Sequence, residues 1–475
     1  MASTKTLSAQ NLETLGAARL AALLIEISAG DATAKRRLRL ELAGQSGSAE
    51  VAHQVRKRLA TIAKARSFVD WDKVKALAAD LEPQRRAIID HIVKTDPREA
   101  WDLMWRFMAL AEPIFARCED SNGLVAAVFE AVLADLAGVA VAAKVGPEAL
   151  ADRVFDALCD NGYGQYDGLI DVFAERLGKD GLEHLKSLCV ALGKSAQAPP
   201  DDADREVIGR STNGPIYADQ IAVRRYKRIV TNALQKIAVL QGDVDGFIGQ
   251  YTPEQRRVAA VATEIARQLL AAGRTIEAWE AIEGIDQNRL WSPFEWEETR
   301  CAILDALGRT EEAQAFRWAC FARTLNAQHL RAYLKRLPDF DDVEAENRAL
   351  AHALSYPNVH LALGFLIAWP ALDRANKLVV DRSDELNGDD YHALGQAAEA
   401  LEARYPLAAT LLRRAMIDFA LINARHKRYP HAARHLVECA SLSARIVDYA
   451  QHQTHEAYHA ALRSAHGRKT GFWTQ

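Results

Sequence analysis

The chain has 475 residues, 49% hydrophobic and 26% charged, with a formal net charge of −4. This is ordinary globular composition, long enough for two or three domain-sized units in which the core is not limiting. The six cysteines (Cys118, Cys159, Cys189, Cys301, Cys320, Cys439) form no C-x-C or C-x-x-C pair, and no run of 18 or more apolar residues occurs. A disulfide framework, a cysteine-built zinc site and a membrane span are thereby excluded, and isolated buried thiols in a cytoplasmic protein are expected.

At the N-terminus, Leu12, Leu15, Leu20, Leu23, Leu24 and Ile27 fall at helical spacing and Glu26 interrupts the apolar segment. The pattern predicts an amphipathic helix of the mature protein, not an export signal. Helix starts are written along the chain as an N-cap, a proline and a Glu or Gln: Asp96-Pro97-Arg98-Glu99, Thr252-Pro253-Glu254-Gln255 and Ser292-Pro293-Phe294-Glu295. Trp101, Trp105 and Met108, at i, i+4 and i+7, describe a packed helix seam. "NGYGQYDG" (161–168) has the wrong glycine spacing, after a helix and not a strand, for a dinucleotide fingerprint, and reads as a helix-to-helix turn.

Residues 193–215, with three glycines, three prolines and an acidic cluster, read as a flexible linker or insertion between N-terminal helical layers (1–192) and a C-terminal region (216–475). Within the latter, "RRYKR" (224–228) flanks an apolar stripe of Tyr226, Ile229, Val230, Ala233, Leu234 and Ile237, as a solvated helix face does. "AAGRTIEAWEAI" (271–282) and "ALGRTEEAQAFR" (306–317) share Gly, Arg, Thr, Glu and Ala at equal offsets, with Gly273 and Gly308 35 residues apart. That period is close to a tetratricopeptide repeat, with Ala278 and Ala313 as the close-packing alanines. Tyr405–Arg425 and Pro430–Ala444 repeat the scheme loosely through Ala432 and Ala433, and Trp279, Trp291, Trp296 and Trp318 are expected to fill the space between stacked helices. With no alternating strand in the chain, the fold class predicted is all-α: an α-solenoid of antiparallel helix pairs, tetratricopeptide-like in its C-terminal half.

Charge is uneven. Residues 401–475 hold 11 Lys/Arg against 5 Asp/Glu, or +6, which leaves −10 for residues 1–400, and seven of the 14 histidines lie in the last 50 residues. Arg413, Arg414, Arg425, His426, Lys427, Arg428, His431, Arg434 and His435 cluster around one inter-helix turn and predict a basic patch for an acidic partner. Further on, His455-Glu456-Ala457-Tyr458-His459 matches the H-E-x-x-H of zinc peptidases. From Ala460 to Gln475, however, there is no Asp or Glu, and His466 follows His459 by seven residues where metzincins use six. With Thr454 as N-cap, a solvated first helical turn is the expected account of His455 and His459, and a metal site there is the alternative.

"SFVDWDKVKALAADL" (67–81), "LQGDVDGFIGQY" (240–251) and "RYPLAATLLRRAMIDFALINARHKRYPHAARHLVECASL" (404–442) resemble an uncharacterised bacterial helical-repeat family. That family is similar to the helical region following the finger in SWIM zinc-finger proteins; the finger's C-x-C and later C-x-H are missing here. The resemblance implies an α-solenoid and no known activity. The expected function is a non-catalytic helical scaffold binding a protein or peptide, with no cofactor and no membrane. A nucleic-acid-associated accessory using the basic C-terminal region is one alternative, and a zinc-dependent hydrolase acting through HEAYH is another.

Overall fold

The structure, a computed structural model, describes residues 7–195, 207–211, 214–285 and 293–474. Among these residues the fold is all-α, as expected, with helices from Ala9–Glu13 to Thr470–Trp473. The exception is a hairpin of Val207–Ser211 and Gly214–Tyr217, antiparallel and irregular between Val207 and Gly209, too short to leave an alternating pattern in the sequence. Its first strand and the start of its second fall in the stretch 193–215 read as a linker, whose first three residues end the helix Ala174–Ser195. Residues 196–206 and 212–213 of that stretch, and Trp291 and Ser292, lie outside the described residues.

Internal packing divides the chain into two units, Met1–Gln255 and Arg256–Gln475. In the first, the predicted seam forms on the helix Pro97–Met108: Asp96 caps it by accepting from the Glu99 amide at 3.1 Å, and Trp105 and Met108 are buried. Trp101 packs edge-on against Trp105 at 5.4 Å and against Phe173 at 5.9 Å. The helix Leu124–Ala142 is long and apolar enough to cross a membrane by length and composition, but Val125, Phe129, Val132, Leu136 and Val139 are core residues and its Asp135 is ion-paired with Arg85. "NGYGQYDG" connects two helices, Pro147–Cys159 and Leu169–Val172. On the helix Ala218–Gln241 the predicted stripe joins this unit's core through Ala233 and Ile237, while Arg225 donates to the Cys159 carbonyl at 2.7 Å. Thr252 and Gln255 form the reciprocal capping box, each side chain accepting from the other's amide at 3.3 and 2.9 Å. The N-terminal amphipathic segment is broken at Gly16 (φ +77°), and no residue of the helix Ala17–Ile27 is buried.

The second unit carries the matched turns. Gly273 (φ +75°) and Gly308 (φ +74°) end the helices Ala259–Ala271 and Pro293–Ala306, and the next residue's amide reaches back five positions, Arg274 to Leu269 and Arg309 to Leu304, both at 2.9 Å. A six-to-one bond of this kind caps the orphan carbonyls and needs a left-handed residue before it, where glycine is free of strain. Arg274 and Arg309 then pair with Glu277 and Glu312, and Ala278 and Ala313 are fully buried. The two turns are therefore equivalent down to their side chains. The same bond recurs from Ala371 to Leu366 and from Arg425 to Ala420, with Pro370 and Ala424 in the glycine's place; at the position of Ala278 and Ala313, Ala375 is fully buried after the one, while after the other the residue there is the buried Tyr429 and not an alanine. Trp296 is buried and Trp318 partly so, whereas Trp279 carries the guanidinium groups of Arg300 and Arg309 at 4.9 and 4.6 Å from its ring.

Charged groups are also taken inside. In the first unit Asp80 accepts from Arg36 and Arg58; in the second, Arg317 pairs with Asp305, and Glu297 with Arg323 and His329. Of the six cysteines, all free, Cys189, Cys301, Cys320 and Cys439 are buried.

Candidate functional site

The C-terminal basic region is organised by the helix Pro406–Ile422, which starts with proline at its first position and is apolar on nearly every face. A helix of that kind is buried all round. Here it lies between the helices Tyr391–Glu402 and Tyr429–Ser443. Arg413 and Arg414 go inside with it, at 4% and 5% exposure, which removes both from the surface patch the sequence suggested. Their nearness in sequence to Arg425 and Lys427 misleads, because the middle of the central helix is covered and the turn beyond its end is not. Arg413 is neutralised by Glu402 and Glu438. Burial pushes the Glu438 carboxyl up, but His435 and Arg413 outweigh it and hold the group below its ordinary pKa.

Five of the predicted residues do converge. Lys427, Arg428, His431, Arg434 and His435, from the turn His426–Arg428 and the first turns of Tyr429–Ser443, line a cleft of about 380 Å³ with Tyr391, Glu399 and Met416. Arg428 lies 4.5 Å over the Tyr391 ring and bonds Asp389 at 2.8 Å; Arg434 reaches His431 at 3.3 Å and Glu438 at 3.6 Å. Arg425 and His426 are exposed on the same turn but do not line the cleft.

On the other side of the same helix is a cavity of about 450 Å³, lined among others by Asn387, Arg414, Asp418, Phe419, His452 and Tyr458, a group that sequence reasoning did not assemble. Tyr458, inside the HEAYH motif, is turned into the core and donates to Asp418 at 2.7 Å. Burial pushes the Asp418 carboxyl above its ordinary pKa, against the Tyr458 hydrogen bond and the charge of Arg414. Gly388 belongs to both spaces, and a Cβ there would overlap the Ala415 carbonyl of the central helix.

A family model matches residues 2–475. The chain belongs to DUF6880, a family of unknown function. A search of curated proteins found no match.

In this DUF6880 chain the HEAYH residues open the helix His455–His466, with Thr454 accepting from the Ala457 amide as expected, but His455 and His459 are half-buried and not the solvated face the sequence suggested. The His455 and His459 rings are 6.3 Å apart, and His459 also packs against Trp473. Burial, then the charge of Arg414, lowers the pKa of His455. Among the described residues the donor atoms that approach one another as metal ligands would are elsewhere: Glu297, Cys320 and His329, all buried, within 4.8 Å. Both oxygens of Glu297 are committed there, one to Arg323 and the other to His329 at 2.7 Å. Burial pushes the Cys320 thiol up to about 12, so without a metal beside it the group is a protonated thiol at neutral pH. This trio is a compensated buried carboxylate. In the first unit a cavity of about 330 Å³ beside the π-helical Ile88–Ile92 mixes Arg37 and Arg86 with Glu41, Glu82 and Asp90, so no one sign of charge prevails.

Proposed function

We propose that the protein is a non-catalytic helical-repeat scaffold, solenoid-like and tetratricopeptide-like in its second unit, whose C-terminal cleft holds an acidic protein or peptide segment. The observation that carries this reading is the convergence of Lys427, Arg428, His431, Arg434 and His435 on one cleft with an aromatic floor at Tyr391. The match of the turns at Gly273 and Gly308 in backbone bond, Arg–Glu pair and buried alanine supports the repeat part, since stacked helix pairs of similar geometry are how such scaffolds build extended binding surfaces. Similarity to the helical region of SWIM zinc-finger proteins makes nucleic acid the competing ligand.

The test uses fluorescence anisotropy with two labelled probes, an oligoglutamate peptide and a single-stranded oligonucleotide of matched charge. Wild type is expected to bind the peptide more tightly. Lys427→Glu with Arg434→Glu should weaken that binding at least ten-fold, and raising salt should weaken it steeply. Tighter binding of the oligonucleotide would transfer the cleft to the nucleic-acid reading. Equal peptide binding by wild type and variant would remove the cleft from both.

A further inference from the structure

In the first unit the helices Ala32–Ser46 and Ser48–Lys64 pack against each other. Arg36 and Arg39 leave the first at i and i+3, and Gln54, Lys57 and Arg58 leave the second at i, i+3 and i+4, so each set lies on one helix face. The two faces line a common cavity of about 190 Å³, which Gln84 of the helix Trp71–Ala87 also lines although it is only 4% exposed. Four cations border this space and no carboxylate does. The cavity of mixed charge described above lies on the other side of Leu40, where the arginines meet Glu41, Glu82 and Asp90.

Asp80, buried behind the cations, is their one ion-pair partner. It accepts from Nε of Arg36 at 3.2 Å and from Nε and Nη2 of Arg58. These bonds fix two guanidinium groups whose side chains still keep accessible surface, 32% for Arg36 and 23% for Arg58, and no described residue engages the Nη1 of either. Arg39 and Lys57 are exposed and form no ion pair among the described residues. Glu50 is occupied with the Gln54 amide at 2.7 Å and does not line the cavity. Four positive charges against one negative leave three over. Like charges gathered on packed helices repel, and the walls of a cavity focus their field on whatever enters.

We propose that this cavity binds the phosphate group, or linked phosphate groups, of a small molecule, with Arg39, Lys57 and the Nη1 donors of Arg36 and Arg58 as its ligands. An oxyanion with more than one charge is the complementary occupant, because a single charge would leave most of the excess in place. Sites that enclose a whole small molecule run to roughly 300–1,000 Å³. This cavity is smaller, so it takes a phosphate head and leaves the rest of the molecule outside. The site belongs to the first unit and does not depend on the reading of the C-terminal cleft.

Inorganic phosphate, pyrophosphate and acetate are titrated separately into the full chain by calorimetry, with ionic strength held constant by chloride. Saturable binding of phosphate or pyrophosphate is expected, with acetate weaker by about ten-fold or more, and the tighter of the two phosphate probes tells a single head from linked ones. Arg39→Gln with Lys57→Gln leaves both partners of Asp80 in place and should weaken binding by about ten-fold or more, while Arg106→Gln, which removes an exposed cation elsewhere in the unit, should leave it unchanged. A short single-stranded oligonucleotide distinguishes a small-molecule site from a nucleic-acid surface. The proposal is overturned if neither phosphate probe saturates, if acetate binds as tightly as they do, if the double variant binds like wild type, if Arg106→Gln weakens binding as much as the double variant, or if the oligonucleotide binds more tightly than pyrophosphate. Should the double variant not fold, Arg39→Gln and Lys57→Gln are titrated singly; weaker binding by either supports the site, and unchanged binding by both overturns it.

Discussion

A half-buried carboxyl with a single neutral donor is an unfavourable arrangement for a negative charge, and Asp418 is in that position. Its pKa is raised by burial, with the Tyr458 hydroxyl and Arg414 only partly offsetting. For an acid whose folded pKa exceeds its unfolded one, the ionised form subtracts stability above the folded pKa, and the loss fades as pH falls toward the ordinary carboxylate range. Asp418→Asn keeps an acceptor for Tyr458 and is therefore expected to raise Tm at pH 7 by a margin that shrinks toward pH 4, followed by circular dichroism melts. A gain that is the same at both pH values would contradict the assignment. Nothing in the sequence around "RRAMIDFAL" announces this residue's partner, because Tyr458 lies 40 positions further on. The basic turn at 425–428 was legible because its residues are neighbours in sequence; the Arg414–Asp418–Tyr458 group exists only after the chain has packed.

Among elements, the recurrent turn sets what could be read. Gly273 and Gly308 give themselves away by residue type, and so does the alanine behind each. The turns at Pro370 and Ala424 carry the same backbone bond under residues that no pattern search would align. The difference has an energetic signature. Gly308 has φ +74°, so Gly308→Ala should cost about 1 kcal/mol. Ala424 pays that conformational cost already at φ +49°, so Ala424→Gly should gain about 0.5 kcal/mol, the relief of strain being partly offset by a freer unfolded chain. Urea denaturation of the two variants checks both signs. A destabilised Ala424→Gly would mean that its methyl group matters more than its backbone. The hairpin was missed for a related reason, since four or five residues per strand are too few for periodicity to speak.

At the scale of the molecule, each unit is held by interfaces of alanine, leucine and valine in which charged groups are embedded at a few places: Asp80 with Arg36 and Arg58, Arg317 with Asp305, Glu297 with Arg323 and His329, Arg413 with Glu402 and Glu438. Arg413 is the buried member of its group while its two carboxylates reach water, so Glu402→Gln with Glu438→Gln strands its charge and is expected to lower unfolding free energy by about 3 kcal/mol, well beyond the effect of an exposed Arg425→Ala. Chemical denaturation of the two variants side by side measures it, and equal losses would deny Arg413 its special standing. All-α class was legible from helix starts and stops, whereas these interior charges were not, because a charged residue in a sequence is ordinarily surface. They bear on how such a chain finds its own arrangement. Smooth aliphatic ridges fit many neighbours almost equally well, so a helix could dock against the wrong companion or one turn out of step at little apolar cost. A misplaced docking at any of these four sites would leave an ion facing hydrocarbon, and that penalty narrows an otherwise permissive set of contacts for the helices that carry these charges.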